Sequence, residues 1–234
     1  MIEQKSKTVL KYFDRIAFRY DLMNTLLSFG IHYLWKQETI KAGMLKAGDK
    51  ILDLCGGTAD LSILAAEKID ENGKVILYDF SLEMLKSGKE KINNKNLSSI
   101  ITPVCGDAEN ISFPDNTFDT ALIGFGLRNL TDIEKGLKDI HRVLKPGSSL
   151  VCLEFSQPVS PWFKKLYDFY SSHLLPFAGK IITGSEDAYT YLHDSIRAFP
   201  LPDQLSDMMT NAGFKMVTYK RLSNGIAAIH IAAK

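Results

Sequence analysis

Ten consecutive residues, Ile51-Leu52-Asp53-Leu54-Cys55-Gly56-Gly57-Thr58-Ala59-Asp60, hold the chemistry-bearing types of this chain at close spacing. They read as a buried strand that ends in a small-residue turn and enters a helix. Asp79 closes the next apolar run, Val75-Ile76-Leu77-Tyr78. Such a pairing suits a nucleoside: the backbone approaches the ligand through the glycines, and a carboxylate meets the ribose hydroxyls. The third glycine of the G-x-G-x-x-G dinucleotide pattern is absent. Asp60, in the first helical turn, would also sit badly beside a pyrophosphate, which wants free amides at a helix N-terminus. The same carboxylate suits a ligand with a cationic end. S-adenosylmethionine has an α-amino group, a carboxylate and a sulfonium, and no phosphate. Asp60 or Asp53 would hold the amino group, and the amides and hydroxyl around Gly57 and Thr58 would reach the carboxylate. These residues favour S-adenosylmethionine over a dinucleotide; a turn with a purely structural role is the third reading.

More of the cofactor site is read from the following segments. Phe80 lies beside Asp79, and Met84 with Leu85 would cover the adenine ring from the next helix. Gly106-Asp107-Ala108 follows the third strand, where acceptor groups would meet the adenine amine.

The elements that position these groups alternate. Strands are predicted over Lys50–Cys55, Lys74–Asp79, Ile100–Cys105, Phe118–Gly124 and Ser149–Phe155. Helices are predicted over Leu61–Lys68, from Ser81 as N-cap, and over Asp132–Leu144, where Lys145-Pro146-Gly147 stops the chain. Apolar strands alternating with helices imply a mainly parallel, helix-covered sheet. A helix over Leu205–Ala212 precedes two strands, Phe214–Arg221 and Ile226–Ala232, joined by Ser223-Asn224-Gly225. The expected fold is therefore α/β and Rossmann-like, with seven strands and an antiparallel C-terminal hairpin at the edge. Residues 1–46 read as an N-terminal helical lid, broken over Asn24–Gly30. Residues 47–155 form the cofactor-binding core, 156–204 an aromatic-rich helical insertion, and 205–234 the helix and hairpin that complete the sheet.

Composition narrows the classes. The chain has 234 residues, enough for one large core. Its 28 basic and 27 acidic residues leave a net charge of +1, which gives no support for a nucleic-acid partner. Cys55, Cys105 and Cys152 lie in or beside apolar runs without C-x-x-C spacing, so three buried thiols in a reducing compartment are expected. His141, His193 and His230 have no ligand spacing, and no metal site is expected. The first residues lack the apolar core of a secretory signal, and no run approaches the ~20 apolar residues of a spanning helix. A cytoplasmic protein is expected.

Motifs along nearly the whole length resemble the ubiquinone/menaquinone biosynthesis C-methyltransferases, class I S-adenosylmethionine-dependent enzymes that methylate a polyprenylated quinol ring. They are Tyr20-Asp21-Leu22-Met23-Asn24, Ser28-Phe29-Gly30-Ile31-His32 with Trp35-Lys36, Leu52-Asp53-Leu54 with Gly56-Gly57-Thr58, and Phe113 to Asp119. Phe125-Gly126-Leu127-Arg128-Asn129, Arg142 to Gly147 and Leu153-Glu154-Phe155-Ser156 complete the set. The first of these and the Phe125–Asn129 run are specific to the family. The resemblance implies that Thr58, Asp79, Asp107, Ala108 and position 124 contact S-adenosylmethionine. Three positions depart from the family's habit. Ala59 stands where glycine is usual, which is tolerable if φ stays negative. Gly124 stands where many relatives carry serine, and Asp107 where they often carry asparagine.

Methyl transfer to a quinol carbon needs a group that stabilises phenolate and a group or water that removes protons. Arg128 is the candidate for the first role, at the carboxyl edge of the sheet; a loop-capping arginine is the alternative. Asn129 would bond the other ring oxygen. His32, His173 and Glu154 are candidate bases, with structural hydrogen bonding as the competing role of each. Tyr20 and Asp21 would close over the cofactor. The aromatic, lysine-bearing stretch from Phe155 to Ile182 would rest transiently on a membrane surface, line a prenyl tunnel or form a homodimer interface. Demethylmenaquinol is the expected acceptor, with 2-polyprenyl-6-methoxy-benzoquinol as the alternative.

Overall fold

A computed structural model describes Asp14, residues 20–170 and residues 187–234. Helix α1 (Tyr20–Leu27) and helix α2 (Ile31–Ala42) meet at a corner where Phe29 and Gly30 adopt φ of 51° and 75°. The break is shorter than the sequence implies. Thr25 and Ser28 donate their hydroxyls to the carbonyls of Asp21 and Asn24 one turn back, so Asn24 and Thr25 stay helical. In α2, His32, Trp35, Lys36, Thr39 and Ile40 recur at helical spacing and form its buried face. The Trp35 indole N–H donates to Ser223 Oγ at 3.0 Å, and its ring meets Phe125 and Phe155. These contacts fix α2 against the end of the sheet.

The alternation then follows: β1 (Lys50–Leu54), α3 (Asp60–Ile69), β2 (Lys74–Asp79), α4 (Leu82–Asn94), β3 (Ile101–Cys105), β4 (Phe118–Gly124), α5 (Ile133–Val143) and β5 (Leu144–Phe155). Next come α6 (Pro161–Phe169), α7 (Asp187–Ala198), α8 (Pro202–Asn211), β6 (Lys215–Leu222) and β7 (Ala227–Ala233). The strands form one seven-stranded sheet in the order β3-β2-β1-β4-β5-β7-β6. β7 is antiparallel to both β5 and β6, and the other pairings are parallel. Side chains alternate across the sheet. Ile51 joins Leu77, Leu122 and Val151 on one face; Leu52 and Leu54 join Phe118, Ile140 and Phe214 on the other. Helices cover both faces, which is why the middles of the central strands are apolar on both sides, as in Ala121-Leu122-Ile123 and Leu150-Val151-Cys152-Leu153.

Two element starts differ from expectation by three residues or more, and so does the burial of the cysteines. β5 begins at Leu144, ahead of Pro146-Gly147, because Leu144 already pairs with Phe118 across a register shift. α8 begins at Pro202, not Leu205. Proline fits a first helical turn, and Gln204 Oε1 accepts the Leu201 N–H there. The cysteines are not all buried: Cys152 is, Cys55 is half-buried at the β1 turn, and Cys105 is exposed at the end of β3. No helix among the described residues is long and apolar enough to cross a membrane.

Candidate active site

A cavity of about 410 Å³ opens at the carboxyl ends of β1, β2 and β4. Asp53, Gly56, Gly57 and Thr58 line it from the first turn; Asp79, Phe80 and Met84 from β2 and α4. Asp107 and Ala108 line it after β3, and Gly124 and Asn129 after β4. The topology thus brings together residues spread over more than seventy positions, at the strand ends where ligands bind in open α/β sheets.

The first turn is shaped by close approach. A Cβ on Gly56 would lie 2.4 Å from Leu77 Cδ1 and 2.7 Å from Asp53 Oδ2. Gly57 adopts φ of 53°, and its amide donates to Asp79 Oδ2 at 2.9 Å. The amide of Ser81 donates to Asp79 Oδ1 at 2.8 Å. Two backbone donors therefore hold this carboxyl in one orientation, while its burial raises its pKa. The Ser81 hydroxyl caps α4 by accepting from Met84, as expected, and donates to Asp14.

Ala59 corrects the expectation of negative φ. It sits at φ 72°, fully buried, as the residue that turns the chain into α3. Its amide donates to Gly56 O and its carbonyl accepts the Ile63 amide at the start of α3, in a left-handed conformation that glycine adopts at less cost. Gly124 is tightly covered: a Cβ there would come within 2.7 Å of Leu61 Cδ1, so added bulk must displace the tip of that leucine.

Asp53 is wholly buried. Its Oδ2 accepts from Ser62 Oγ at 2.6 Å, while Oδ1 has no hydrogen-bond partner among the described residues. Burial pushes its pKa up to about 7, against the hydrogen bond from Ser62. An unpartnered carboxyl oxygen at this cavity fits an ammonium group of a ligand. Asp60 does not share that role. Both of its oxygens are engaged, one by Lys36 Nζ at 2.6 Å and the other by Lys91 Nζ. Burial alone would raise the Asp60 carboxyl, but the two lysines hold it below its ordinary value.

Lys91 also reaches Asp21 Oδ2 at 2.8 Å, and Thr58 Oγ1 donates to Asp21 Oδ1 at 2.6 Å. α1, α2, α3 and α4 are thereby tied into one charged network around the first turn. Sequence reasoning placed Asp21 over the cofactor and missed Lys36 and Lys91. The spacing of Lys91 gave no hint; Lys36, one turn after His32 on a buried helix face, was detectable as a lysine where apolar residues belong.

The residues expected to act on the acceptor divide differently. Arg128 is buried, and its Nη1 donates to Glu154 Oε1 at 2.8 Å and to the Phe125 carbonyl. Glu154 further accepts the amides of Arg128 and Phe155. A carboxylate occupied in this way is a counter-ion, not a free base, and the expectation for Glu154 is corrected accordingly. The guanidinium charge is likewise compensated; its buried Nε has no hydrogen-bond partner among the described residues. It also lies 5.2 Å from the Phe155 ring centroid, a cation–π contact. Asn129 lines the cavity, and its Oδ1 accepts from Tyr191 at 3.1 Å. His32 is buried, with Nε2 3.3 Å from Thr25 Oγ1 and no partner on Nδ1 among the described residues. Burial, and then the neighbouring Lys36 ammonium, lower its pKa to about 4, so the ring is neutral at pH 7. Tyr20 opens α1. His173 lies outside the described residues.

Sheet order, the acidic residue after β2 and the unpartnered carboxyl at the first turn together define a class I S-adenosylmethionine-binding α/β protein. Comparison with known proteins narrows the class. A model of the ubiE/COQ5 methyltransferase family matches residues 1–234. A ubiquinone/menaquinone biosynthesis C-methyltransferase UbiE of Francisella tularensis subsp. novicida is 49% identical over 232 residues, covering 99% of this chain and 93% of that protein. The protein of that name from Pseudoalteromonas translucida is 46% identical over 226 residues, 97% and 90% of the two chains. The chain belongs to the ubiE/COQ5 methyltransferase family, and is an S-adenosylmethionine-dependent methyltransferase.

Solved structures agree on the fold. The [4+2]-cyclase SpnF matches with a TM-score of 0.72 at 16% identity, over 98% of this chain and 96% of that one. A SAM dependent methyltransferase from Aquifex aeolicus matches at 0.61 and 20% identity, over 85% and 88%. At these identities they speak to architecture alone, and a cyclase among them shows that this architecture does not dictate the reaction.

Proposed function

We propose that the protein transfers a methyl group from S-adenosylmethionine to a ring carbon of demethylmenaquinol. The supporting observation is a likeness that runs the length of the chain to relatives named for C-methylation in quinone biosynthesis, with Asn129 lining the cofactor cavity and Arg128 buried next to it in the chain. Those relatives are named for both quinones, so the polyprenylated methoxy-benzoquinol is the second reading.

When bound, the cofactor supplies an electrophilic methyl group on a sulfonium, which leaves the protein the tasks of alignment and charge placement. In this reading Asp79, pre-oriented by the amides of Gly57 and Ser81, takes the ribose hydroxyls. Asp53 takes the α-amino group through Oδ1. Asp107 and Ala108 meet the adenine edge, Phe80 and Met84 its faces, and Gly124 admits the cofactor by carrying no side chain. Asn129 is the polar group at the acceptor end of the cavity. Arg128, with its charge balanced by Glu154, shapes the turn through the Phe125 carbonyl and keeps Nε as a donor for a quinol oxygen or a water. His32, neutral and buried, passes a phenol proton through water; its low pKa makes it a relay and a weak base. His173 stays a candidate base on the sequence alone.

The prenyl tail needs an apolar exit. Phe29 at the α1–α2 corner and Trp162 and Phe169 on α6 are exposed, and the rings of Phe29 and Tyr170 approach to 6.2 Å. Lys164 and Lys165 lie on the same helix. This face supports transient contact of a cytoplasmic enzyme with an acidic membrane surface.

The test is an anaerobic comparison of kcat/KM for reduced demethylmenaquinone and the methoxy-benzoquinol, with methyl-labelled cofactor. Preference for the naphthoquinol supports the proposal, and turnover of the benzoquinol alone reassigns the acceptor. Label on neither, with cofactor binding intact, overturns it.

A further inference from the structure

We infer that Lys36 is the anchor for the carboxylate of the cofactor's methionine moiety, an inference that rests on this cavity binding S-adenosylmethionine. The amino-acid end of that cofactor is a zwitterion. In a buried site each of its charges needs a partner of opposite sign or a strong hydrogen bond. The ammonium is met by Asp53 Oδ1. Two donors at the first turn would serve the carboxylate, the Gly57 amide and the Thr58 hydroxyl, and both are engaged elsewhere. Gly57 N–H donates to Asp79, and the single hydroxyl proton of Thr58 goes to Asp21.

Among the described residues, two cationic side chains line the cavity, Lys36 and Lys135. Lys135 belongs to α5, whose cap Asp132 follows Thr131, and Thr131 is tied to Glu109 beside Asp107. That is the adenine end. Lys36 stands at the opposite end, its Nζ 2.6 Å from Asp60 in the first turn of α3. The side chain is 8% exposed, so its charge is little screened by solvent. An ammonium has three donors, and Asp60 takes one. Asp60 is itself shared with Lys91, whose other carboxylate partner is Asp21. Two lysines thus attend one aspartate, and Lys36 keeps donors free toward the cavity.

The experiment removes the charge from each side in turn. Calorimetry compares S-adenosylmethionine with its decarboxylated analogue on the wild-type protein and on Lys36→Met and Lys36→Arg. A buried charge-assisted hydrogen bond predicts that wild type binds the decarboxylated analogue roughly 10- to 100-fold more weakly. In Lys36→Met the full cofactor weakens by a similar factor and the two ligands become equal within about threefold; Lys36→Arg retains discrimination. Wild type binding both ligands equally overturns the inference without recourse to any variant. So does a folded Lys36→Met that still discriminates as strongly as wild type. Failure of wild type to bind S-adenosylmethionine at all removes the cofactor reading and this inference with it.

Discussion

Asp53 makes cofactor affinity depend on pH. Burial pushes its carboxyl up to about 7, while a bound ammonium demands the carboxylate. At pH 6 roughly one molecule in eleven is ionised at this site, and at pH 8 roughly ten in eleven. Affinity for S-adenosylhomocysteine, which retains the amino group, should therefore be about tenfold higher at pH 8 than at pH 6. Calorimetry in two buffers of different ionisation enthalpy should show nearly one proton released on binding at pH 6 and about a tenth of one at pH 8. Asp53→Asn should bind weakly at both pH values and lose the dependence. The same shift acts on stability with the opposite sign. The folded value lies above that of an ordinary aspartate, so the contribution is fully present below about pH 4 and is lost as pH rises through about 7. Ligand-free Asp53→Asn should accordingly melt higher than wild type at pH 8. Flat wild-type affinity from pH 6 to 8, or a variant that keeps the slope, would refute the assignment of Asp53 to the amino group.

Other substitutions test the turn and the buried ion pair. Ala59→Gly relieves a left-handed alanine, a strain of about 1–2 kcal/mol partly offset by added chain entropy; differential scanning calorimetry should show a rise of a few degrees in Tm. Gly56→Ala forces a methyl onto Leu77 and Asp53, and should cost about 1–3 kcal/mol of stability by urea unfolding and at least tenfold in S-adenosylhomocysteine affinity. Glu154→Ala leaves the Arg128 guanidinium buried without its counter-ion, a loss of about 3–5 kcal/mol in denaturant unfolding. Replacing both partners with methionine and leucine should recover much of that loss.

The sheet was legible because its signals are local. Val75 to Tyr78 is an unbroken apolar run, Ala121-Leu122-Ile123 is the apolar centre of Phe118 to Gly124, and Ser81 and Asp132 are caps that act within three residues. Strand and cap positions therefore agree with the structure at β2, β4, α4 and α5. The cofactor-facing segments were legible for the same reason: each lies just past a strand end. What escaped is non-local. Asp60 is claimed by Lys36 from twenty-four positions before it and by Lys91 from thirty-one after it. Glu154 is claimed by Arg128 across the sheet. No pattern of residue types announces such pairings, and each changes what the carboxylate can do. Ala59 escaped for another reason: at the entry to α3 it adopts a left-handed φ of 72°, against alanine's own preference.

The account turns on where the methyl group lands. The most direct measurement is NMR and mass analysis of the product formed anaerobically from demethylmenaquinol and S-adenosylmethionine carrying a trideuterated, carbon-13 methyl group. The account predicts one labelled methyl on a ring carbon ortho to a hydroxyl, with both oxygens unmethylated. A labelled methyl ether, with the carbon resonance of an O-methyl group, would contradict it.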